Sequence, residues 1–242
     1  MAAGIAREIR NPLASMSGSI QIRRQDLPLT EEQTKLMDIV LRESDRLNHT
    51  IKSFLAYARP QRYAPESLDV RRVINDTALL LRNSAECRDG HVVEVDVPSG
   101  AVPYEADEGQ LKQILWNLAT NGLRAMPDGG RLQLSAFVER VGRTAGTVVI
   151  AVQDEGVGMS RGEADAMFQP FHGSFAKGSG LGLAIVHRIV SDHDGEVRVS
   201  SVAGQGTVVR VFLPPRQLPA GGVEPEPSDV TDTPDLVSGH GS

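Results

Sequence analysis

Two glycine-rich segments surround the residues best suited to bind a nucleotide. Asp154 follows a β-rich run, TVVIAVQ (147–153), and directly precedes Gly156 and Gly158. A second cluster, consisting of Gly178, Gly180 and Gly182, opens an apolar helical segment. A carboxylate at a strand end can accept from the exocyclic amine of a base, and glycine lets the backbone approach the ligand closely. Because backbone N–H groups at a helix N-terminus hold phosphate oxygens, the two segments together predict a site for a purine nucleoside triphosphate.

A third candidate lies on a strongly helical segment, 107–126. Asn117 and Asn121 share one helix face, and Arg124 lies three residues further on the same side. Mg²⁺ prefers oxygen ligands and keeps several waters when it sits among phosphates. Asn121 with triphosphate oxygens would therefore suffice for a metal site, and Arg124 could meet a phosphate. From the residues alone, two solvated polar positions are the preferred interpretation of the asparagines.

The composition excludes several classes of protein. Formal net charge is −6 over 242 residues, but five carboxylates lie after Gln217, where there is no Lys or Arg. The rest of the chain is near −1, so no basic excess favours nucleic acid. The one cysteine, Cys87, excludes an internal disulfide and a cysteine-based zinc site. No window reaches the roughly 18 apolar residues of a membrane helix and no signal peptide opens the chain, so we expect a cytoplasmic protein without a membrane segment.

The N-terminal part, 1–58, predicts a helical hairpin. Residues 2–24 carry apolar residues at spacings of three and four. Thr30 begins a second helix, with Gln33 three residues later as a capping box. The apolar stripe of this helix includes Leu36, Ile39, Val40, Leu47, Ile51, Phe54 and Leu55. A hairpin cannot bury such a stripe alone, so we expect either a two-fold partner, giving a four-helix bundle, or packing on its own C-terminal domain.

A second domain is predicted over 68–215, after a proline-containing linker at 59–67. Its strands are expected at 68–70, 91–97, 132–138, 147–152, 196–201 and 207–213, and its helices at 73–87, 107–126 and 181–194. This order lacks the even rhythm of a doubly wound fold, so the prediction is an α+β sandwich with one layer of helices on a mixed sheet. The segment 216–242 is rich in Pro, Gly, Ser and acid and is predicted to be disordered.

Five motifs in order resemble a known family. They are QILWNLATNGLRAM (113–126), DEGVGM (154–159), MFQPF (167–171), GSGLGLAIV (178–186) and GQGT (204–207). They are similar to the asparagine, first glycine, phenylalanine, second glycine and final glycine boxes of the histidine-kinase ATP-binding domain, a fold shared with gyrase and heat-shock chaperone ATPases. The stretch AAGIAREIRNPLASMSGSIQ (2–21) resembles the H-box of the dimerisation and phosphotransfer domain. The resemblance covers about 2–215 and is strongest to nitrogen-regulation-type sensor kinases.

The resemblance implies a role for each matching residue. Asn121 would bind Mg²⁺, with Asn117 and Arg124 contacting the metal or the phosphates of ATP. Asp154 would accept from the adenine amine above a turn shaped by Gly156 and Gly158. The segment 159–177 would form a mobile lid anchored by Phe168 and Phe171. The remaining nucleotide contacts would come from Gly180, Leu181, Gly182 and Thr207, and from Lys177, which either reaches the γ-phosphate or is a solvated loop residue.

One contrast separates a kinase from an ATPase of the same fold. Those ATPases place a Glu one turn before the metal-binding Asn, where it activates water, and this chain has Asn117 there. Without a carboxylate base, water is a poor nucleophile. The resemblance therefore implies a sensor kinase core that acts on the aspartate of a response-regulator receiver domain.

The phosphoacceptor position departs from the family. It is occupied by Arg7, which stays cationic and has no lone pair to attack phosphorus. All six histidines of the chain lie elsewhere, and the lid reads HGSFAKG after Phe171 in place of the usual run. Autophosphorylation at the usual site should fail in this chain.

Glu8 occupies the place of the family's general base, and Asn11 lies on the same helical face. The pair resembles a phosphatase motif that orients water onto a partner's phospho-aspartate, which needs no histidine. Three alternatives therefore stay open beside the kinase: a phosphatase only, transfer to a histidine of a partner subunit in a mixed dimer, or a non-catalytic interaction module. Only six residues precede Arg7, so we expect the core of a longer sensor protein, whose stimulus and cognate regulator the sequence does not reveal.

Overall fold

The computed structural model describes the backbone of residues 2–58, 65–140, 146–170 and 180–215. In chain order the elements are α1 (Ala2–Asp26), α2 (Glu31–Ala58), β1 (Glu66–Asp69), α3 (Val70–Arg82), β2 (His91–Asp96), β3 (Pro103–Ala106), α4 (Glu108–Arg124), β4 (Gly130–Glu139), β5 (Thr147–Asp154), α5 (Arg161–Ala166), α6 (Gly182–Asp192), β6 (Glu196–Val202) and β7 (Gly206–Leu213). Most of the predicted linker (59–64) and the predicted disordered tail (216–242) lie outside these ranges.

Helices α1 and α2 form the expected hairpin. The capping box at the start of α2 is confirmed, because the Gln33 N–H donates to Thr30 Oγ1 at 3.2 Å and the Thr30 N–H donates to Gln33 Oε1 at 3.0 Å. Arg24 and Asp38 form an ion pair at 2.8 Å between the two helices. Large apolar side chains remain exposed on this hairpin, namely Met16, Ile22, Leu36, Ile39, Val40 and Leu47. Within the described ranges, every helix is too short or too polar to span a bilayer.

The second unit contains a five-stranded mixed sheet of order β2-β4-β5-β7-β6. Strands β2 and β4 are parallel, whereas β4–β5, β5–β7 and β7–β6 are antiparallel. A separate two-stranded antiparallel sheet joins β1 to β3. This arrangement confirms the α+β class, with neighbouring strands contributed from distant parts of the chain.

One layer of helices covers one face of the large sheet. Helices α3, α4 and α6 present buried apolar side chains to β4, β5 and β7. The fully buried members of this core include Ile74, Leu81, Leu111, Ile114, Leu115, Leu132, Leu134, Ile150, Leu181 and Leu213. The core is mostly aliphatic, in keeping with the 4% of aromatic residues in the chain. Burying these side chains is the main favourable term that holds the helices on the sheet.

Four elements differ from the predictions. Helix α3 begins at Val70 and ends at Arg82, not 73–87, because Asp69 caps it by accepting from the Arg71 N–H at 3.1 Å. Strand β3 was not predicted, and β1 already begins at Glu66, within the expected linker. Helix α5 lies in the segment predicted as lid, where Ser160 and Glu163 form a capping box.

Candidate functional site

Asp154 is the last residue of β5 and lies opposite Thr207 of β7 in the sheet. Its side chain is buried, with 7 % of the residue exposed. The Gly156 N–H donates to Asp154 Oδ1 at 2.9 Å, and the Thr207 backbone amide is a second donor. Burial raises the pKa of this carboxyl above its ordinary value, and the two amides oppose that rise. The result is a fixed, weakly solvated acceptor at the end of a strand.

Helix α4 passes directly beside this carboxyl because of a glycine. A Cβ placed on Gly122 would lie 3.2 Å from Asp154 Cβ, 3.4 Å from its Oδ2 and 2.7 Å from Leu132 Cδ1. A larger residue would therefore separate α4 from β5. Gly122 therefore lets α4, the helix that also carries Asn121, pack closely against the end of β5.

The turn after Asp154 is held from both sides. The Val157 N–H donates to the Ala125 carbonyl at 2.9 Å, and the Gly204 N–H donates to the Val157 carbonyl at 2.7 Å. Gly158 has φ of 63° and lies against the Val202 carbonyl, so a side chain there would be both strained and obstructed. The turn thus links the end of α4 to the β6–β7 connection and fixes Gly156 in position to donate to Asp154.

Asn117 faces the start of α6. A Cβ on Gly182, the first residue of that helix, would lie 3.3 Å from Asn117 Oδ1. The Nδ2 of Asn117 is buried, and none of the described residues accepts its hydrogens. Gly180 has φ of 66°, and the N-cap of α6 is the buried, apolar Leu181, whose side chain cannot cap the helix. A buried amide donor beside N-terminal helix amides is an arrangement that fits a phosphate oxygen.

Asn121 is partly buried on α4, one turn after Asn117. Among the described residues, no group of three or more His, Cys, Asp or Glu side chains could hold a metal ion by itself. A metal at Asn121 would therefore take its other ligands from phosphate oxygens and water, which is the usual pattern for Mg²⁺.

Arg124 has a different partner from the phosphate that we expected. Its Nη2 and Nε donate to the two carboxylate oxygens of Glu86 at 2.7 and 3.2 Å. Glu86 lies in the connection between α3 and β2. The guanidinium uses two of its five N–H donors on Glu86, and its role in nucleotide binding stays a prediction.

Thr207 is buried beside Asp154, with 7 % of the residue exposed, and its Oγ1 lies 2.9 Å from Ser201 Oγ. Ser201 is a site neighbour that sequence reasoning missed, as is Gly122. The signal for Gly122 was its position directly after Asn121. No short-range pattern marks Ser201, which precedes Thr207 by six residues on the partner strand.

Other predicted residues lie apart from this site or beyond the described side chains. Arg7 and Glu8 belong to α1, but their side chains are outside the described residues, whereas Asn11 is exposed on the same helix. Lys177 and Phe171 also lie outside the described residues. Phe168 contacts His187 of α6, with ring centroids 5.9 Å apart.

Comparison with known sequences gives two family matches. Residues 106–217 match the family described as histidine kinase-, DNA gyrase B- and HSP90-like ATPase. Residues 1–62 match the His Kinase A (phospho-acceptor) domain.

Two curated relatives and one solved structure cover most of the chain. Sporulation kinase C of Bacillus subtilis (strain 168) is 35 % identical over 214 residues, which are 88 % of this chain and 48 % of that protein. Sensor histidine kinase ZraS of Escherichia coli (strain K12) is 33 % identical over 214 residues, 88 % of this chain and 45 % of that protein. The crystal structure of full-length ShkA in complex with AMPPNP has a TM-score of 0.70 at 27 % identity, covering 88 % of this chain and 45 % of that one. The chain therefore spans about half the length of these two curated relatives.

Proposed function

Because the chain belongs to the family of two-component sensor histidine kinases, we propose that it is a kinase core that binds Mg-ATP and controls the phosphorylation of a response regulator. Its C-terminal unit matches the family of histidine kinase-, DNA gyrase B- and HSP90-like ATPases, and the similar crystal structure of full-length ShkA is a complex with AMPPNP. Because the chain spans about half the length of the two curated relatives, its activity and its partners are proposals.

The observation that carries the proposal is the fixed carboxyl of Asp154. Burial and two backbone donors hold it as an acceptor at the end of β5. Adenine offers its exocyclic amine as a donor, whereas guanine presents a carbonyl oxygen at the corresponding position. We infer that Asp154 selects adenine, with Gly156 and Gly158 forming the floor of the base site and Thr207 adding a hydroxyl beside it.

The phosphates and Mg²⁺ are assigned to α4 and the start of α6. Asn121 would hold Mg²⁺, and Asn117 would donate its buried amide to the metal's water or to a phosphate. The backbone amides of Gly180, Leu181 and Gly182 would face the phosphate oxygens, with Lys177 and Arg124 as additional cations. When bound, Mg²⁺ would neutralise charge on the phosphates.

Asn117 also supports kinase over ATPase chemistry. It stands one turn before Asn121, where an acidic residue would be able to activate water. An amide cannot accept that proton, so the γ-phosphoryl group is preserved for another acceptor.

Arg7 stands where the resemblance to the H-box of the family would place the acceptor histidine, so the acceptor would lie elsewhere. Arginine has no lone pair with which to take a phosphoryl group. Glu8 would be the general base for an acceptor there. Glu8 and Asn11 would also serve the removal of phosphate from a receiver aspartate, which requires no histidine.

The proposed partners follow from the helical hairpin. Its exposed apolar side chains need a cover, and a second hairpin in a four-helix bundle supplies one. We propose a homodimer, or a mixed dimer in which the partner subunit supplies the acceptor histidine, and a receiver domain as the protein substrate. We also propose that the kinase is of the nitrogen-regulation type and lies in the cytoplasm. Its helical domain would span 1–58 and its ATP-binding domain 68–215.

The test is incubation with Mg²⁺ and γ-labelled ATP. The chain as it stands should not label itself, whereas Arg7→His should, and added receiver domain should then take the label. Arg10→His, which places a histidine one turn away on α1, is the matched control and should stay unlabelled. An Arg7→His variant that binds ATP but acquires no label would contradict kinase competence, and label on the unaltered chain would show that another residue accepts phosphate.

A further inference from the structure

Ser201 lies on β6 opposite Thr207 of β7 and joins three backbone segments through one hydroxyl group. It accepts from the Met159 N–H at 2.8 Å. The same oxygen lies 3.1 Å from the Gly206 carbonyl and 2.9 Å from Thr207 Oγ1. These partners belong to the turn after Asp154 and to the start of β7, the two segments that meet at the predicted base site.

The donor inventory of a hydroxyl limits what Ser201 can do. It has one proton and two acceptor lone pairs, and the Met159 N–H occupies one of the lone pairs. Either its proton goes to the Gly206 carbonyl and Thr207 donates to it, or its proton goes to Thr207 Oγ1. In both arrangements this hydrogen bond holds Thr207 Oγ1 in one position, and the backbone amide of Thr207 hydrogen-bonds Asp154.

We propose that Ser201 is a positioning residue for recognition of the nucleotide base. It fixes the Thr207 hydroxyl next to the Asp154 carboxyl, and through Met159 it ties that hydroxyl to the segment that leads into α5. Ser201 therefore couples recognition of the base to the placement of the segment that begins at Met159. It does so without contacting the nucleotide itself. This inference rests on the proposed adenine-nucleotide function.

Ser200 provides a matched control. It is the preceding residue on the same strand, and its exposed side chain points to the opposite face of the sheet. Ser200→Ala removes one hydroxyl oxygen from β6, as Ser201→Ala does, but it leaves the hydrogen bonds to Met159 and Thr207 intact. Ser201→Thr keeps a hydroxyl at the site itself and serves as the conservative variant.

The experiment compares two nucleotides that differ at the base. ADP and inosine diphosphate, which carries a carbonyl in place of the adenine amine, are titrated with Mg²⁺ into the full chain by calorimetry. A lost hydrogen bond typically weakens binding by about fivefold. Ser201→Ala should therefore lower the affinity for ADP by that factor, and the affinity for inosine diphosphate by less than about twofold. Ser201→Thr should restore ADP binding, and Ser200→Ala should match the unaltered chain.

A double variant tests the route through Thr207. Thr207→Val in the Ser201→Ala background should cost less than the sum of the two single effects, because both remove the same interaction. The inference is overturned if Ser201→Ala equals Ser200→Ala, or if both nucleotides weaken equally and Ser201→Thr does not recover. Absence of ADP binding by the unaltered chain would instead contradict the proposed function.

Discussion

Gly122 of α4 lies in direct contact with Asp154 of β5. A Cβ at this glycine would stand 3.2 Å from Asp154 Cβ and 3.4 Å from its Oδ2. This one position therefore sets the separation between the helix that carries Asn117 and Asn121 and the strand that carries the base-binding carboxyl.

Enlarging this residue should separate the two halves of the site. Gly122→Val adds branched bulk against Leu132 Cδ1, and overpacking of this kind costs about 1–3 kcal/mol. We expect a loss of stability of that order in denaturant titrations and a loss of nucleotide affinity of roughly tenfold or more. Gly122→Ala is the graded control, with a smaller effect because the terminal methyl of Leu132 can rotate away. Unchanged affinity in a folded Gly122→Val protein would contradict this role.

The ion pair between Arg124 and Glu86 allows a test of whether Arg124 binds a phosphate, because substitutions of its two members should change ATP affinity in opposite directions. If the guanidinium exchanges Glu86 for a phosphate oxygen on binding, Glu86→Gln should raise ATP affinity a few-fold because it removes the competing anion. Arg124→Gln should lower it by a similar factor. Affinities measured by calorimetry at constant salt decide the matter, and two variants that both bind as the unaltered chain does would leave the pair with a structural role only.

Asp69 gives the fold an acid-labile contact. The Arg71 side chain and the backbone amides of Val102 and Arg71 lower the pKa of this carboxyl from 3.8 to about 2. Its stabilising contribution is therefore complete above pH 4 and is lost as pH falls from about 4 toward 2. Thermal unfolding between pH 5 and pH 2.5 should show this loss, and Asp69→Asn should flatten that part of the profile. An unaltered slope in Asp69→Asn would be evidence against the contact.

Asp154 should make nucleotide binding sensitive to acid. Burial raises the pKa of its carboxyl above 3.8, so protonation begins at a higher pH than for an exposed aspartate. A protonated carboxyl is a poorer acceptor, so ATP affinity should fall as pH decreases toward this raised pKa. The folded state itself gains relative stability on protonation and loses it as pH rises through that value. An Asp154→Asn variant whose affinity depends on pH as that of the unaltered chain does would contradict the direct role of this carboxylate.

Much of the fold could be predicted because local signals and tertiary structure agree. Thr30 and Gln33, three residues apart in sequence, form the capping box that marked the start of α2. The alternation of apolar and polar residues in 132–138 and 147–152 predicted two central strands, and both are present. The glycine and asparagine motifs placed Asp154, Asn117 and Asn121 on the elements where the structure has them.

Features that depend on distant partners could not be predicted. Strand β3 has little strand character of its own and exists through pairing with β1, more than thirty residues earlier. The start of α3 was missed because Asp69 is both the last residue of a strand and the cap of a helix. Likewise, the Glu86 partner of Arg124 and the Ser201 partner of Met159 come from 38 and 42 residues away in sequence, a distance at which spacing carries no information.

The central claim is that Asp154 holds the adenine end of a magnesium-bound nucleotide. Calorimetric titration of the full chain with Mg²⁺ and AMPPNP tests it directly, using Asp154→Asn and, as the control, Gln153→Asn at the exposed neighbouring position on β5. We expect saturable binding in the unaltered chain and in Gln153→Asn, and a loss of roughly a hundredfold in Asp154→Asn, in the range for removing a hydrogen bond to a charged group. No binding by the folded, unaltered chain, or equal binding by Asp154→Asn, would contradict the account.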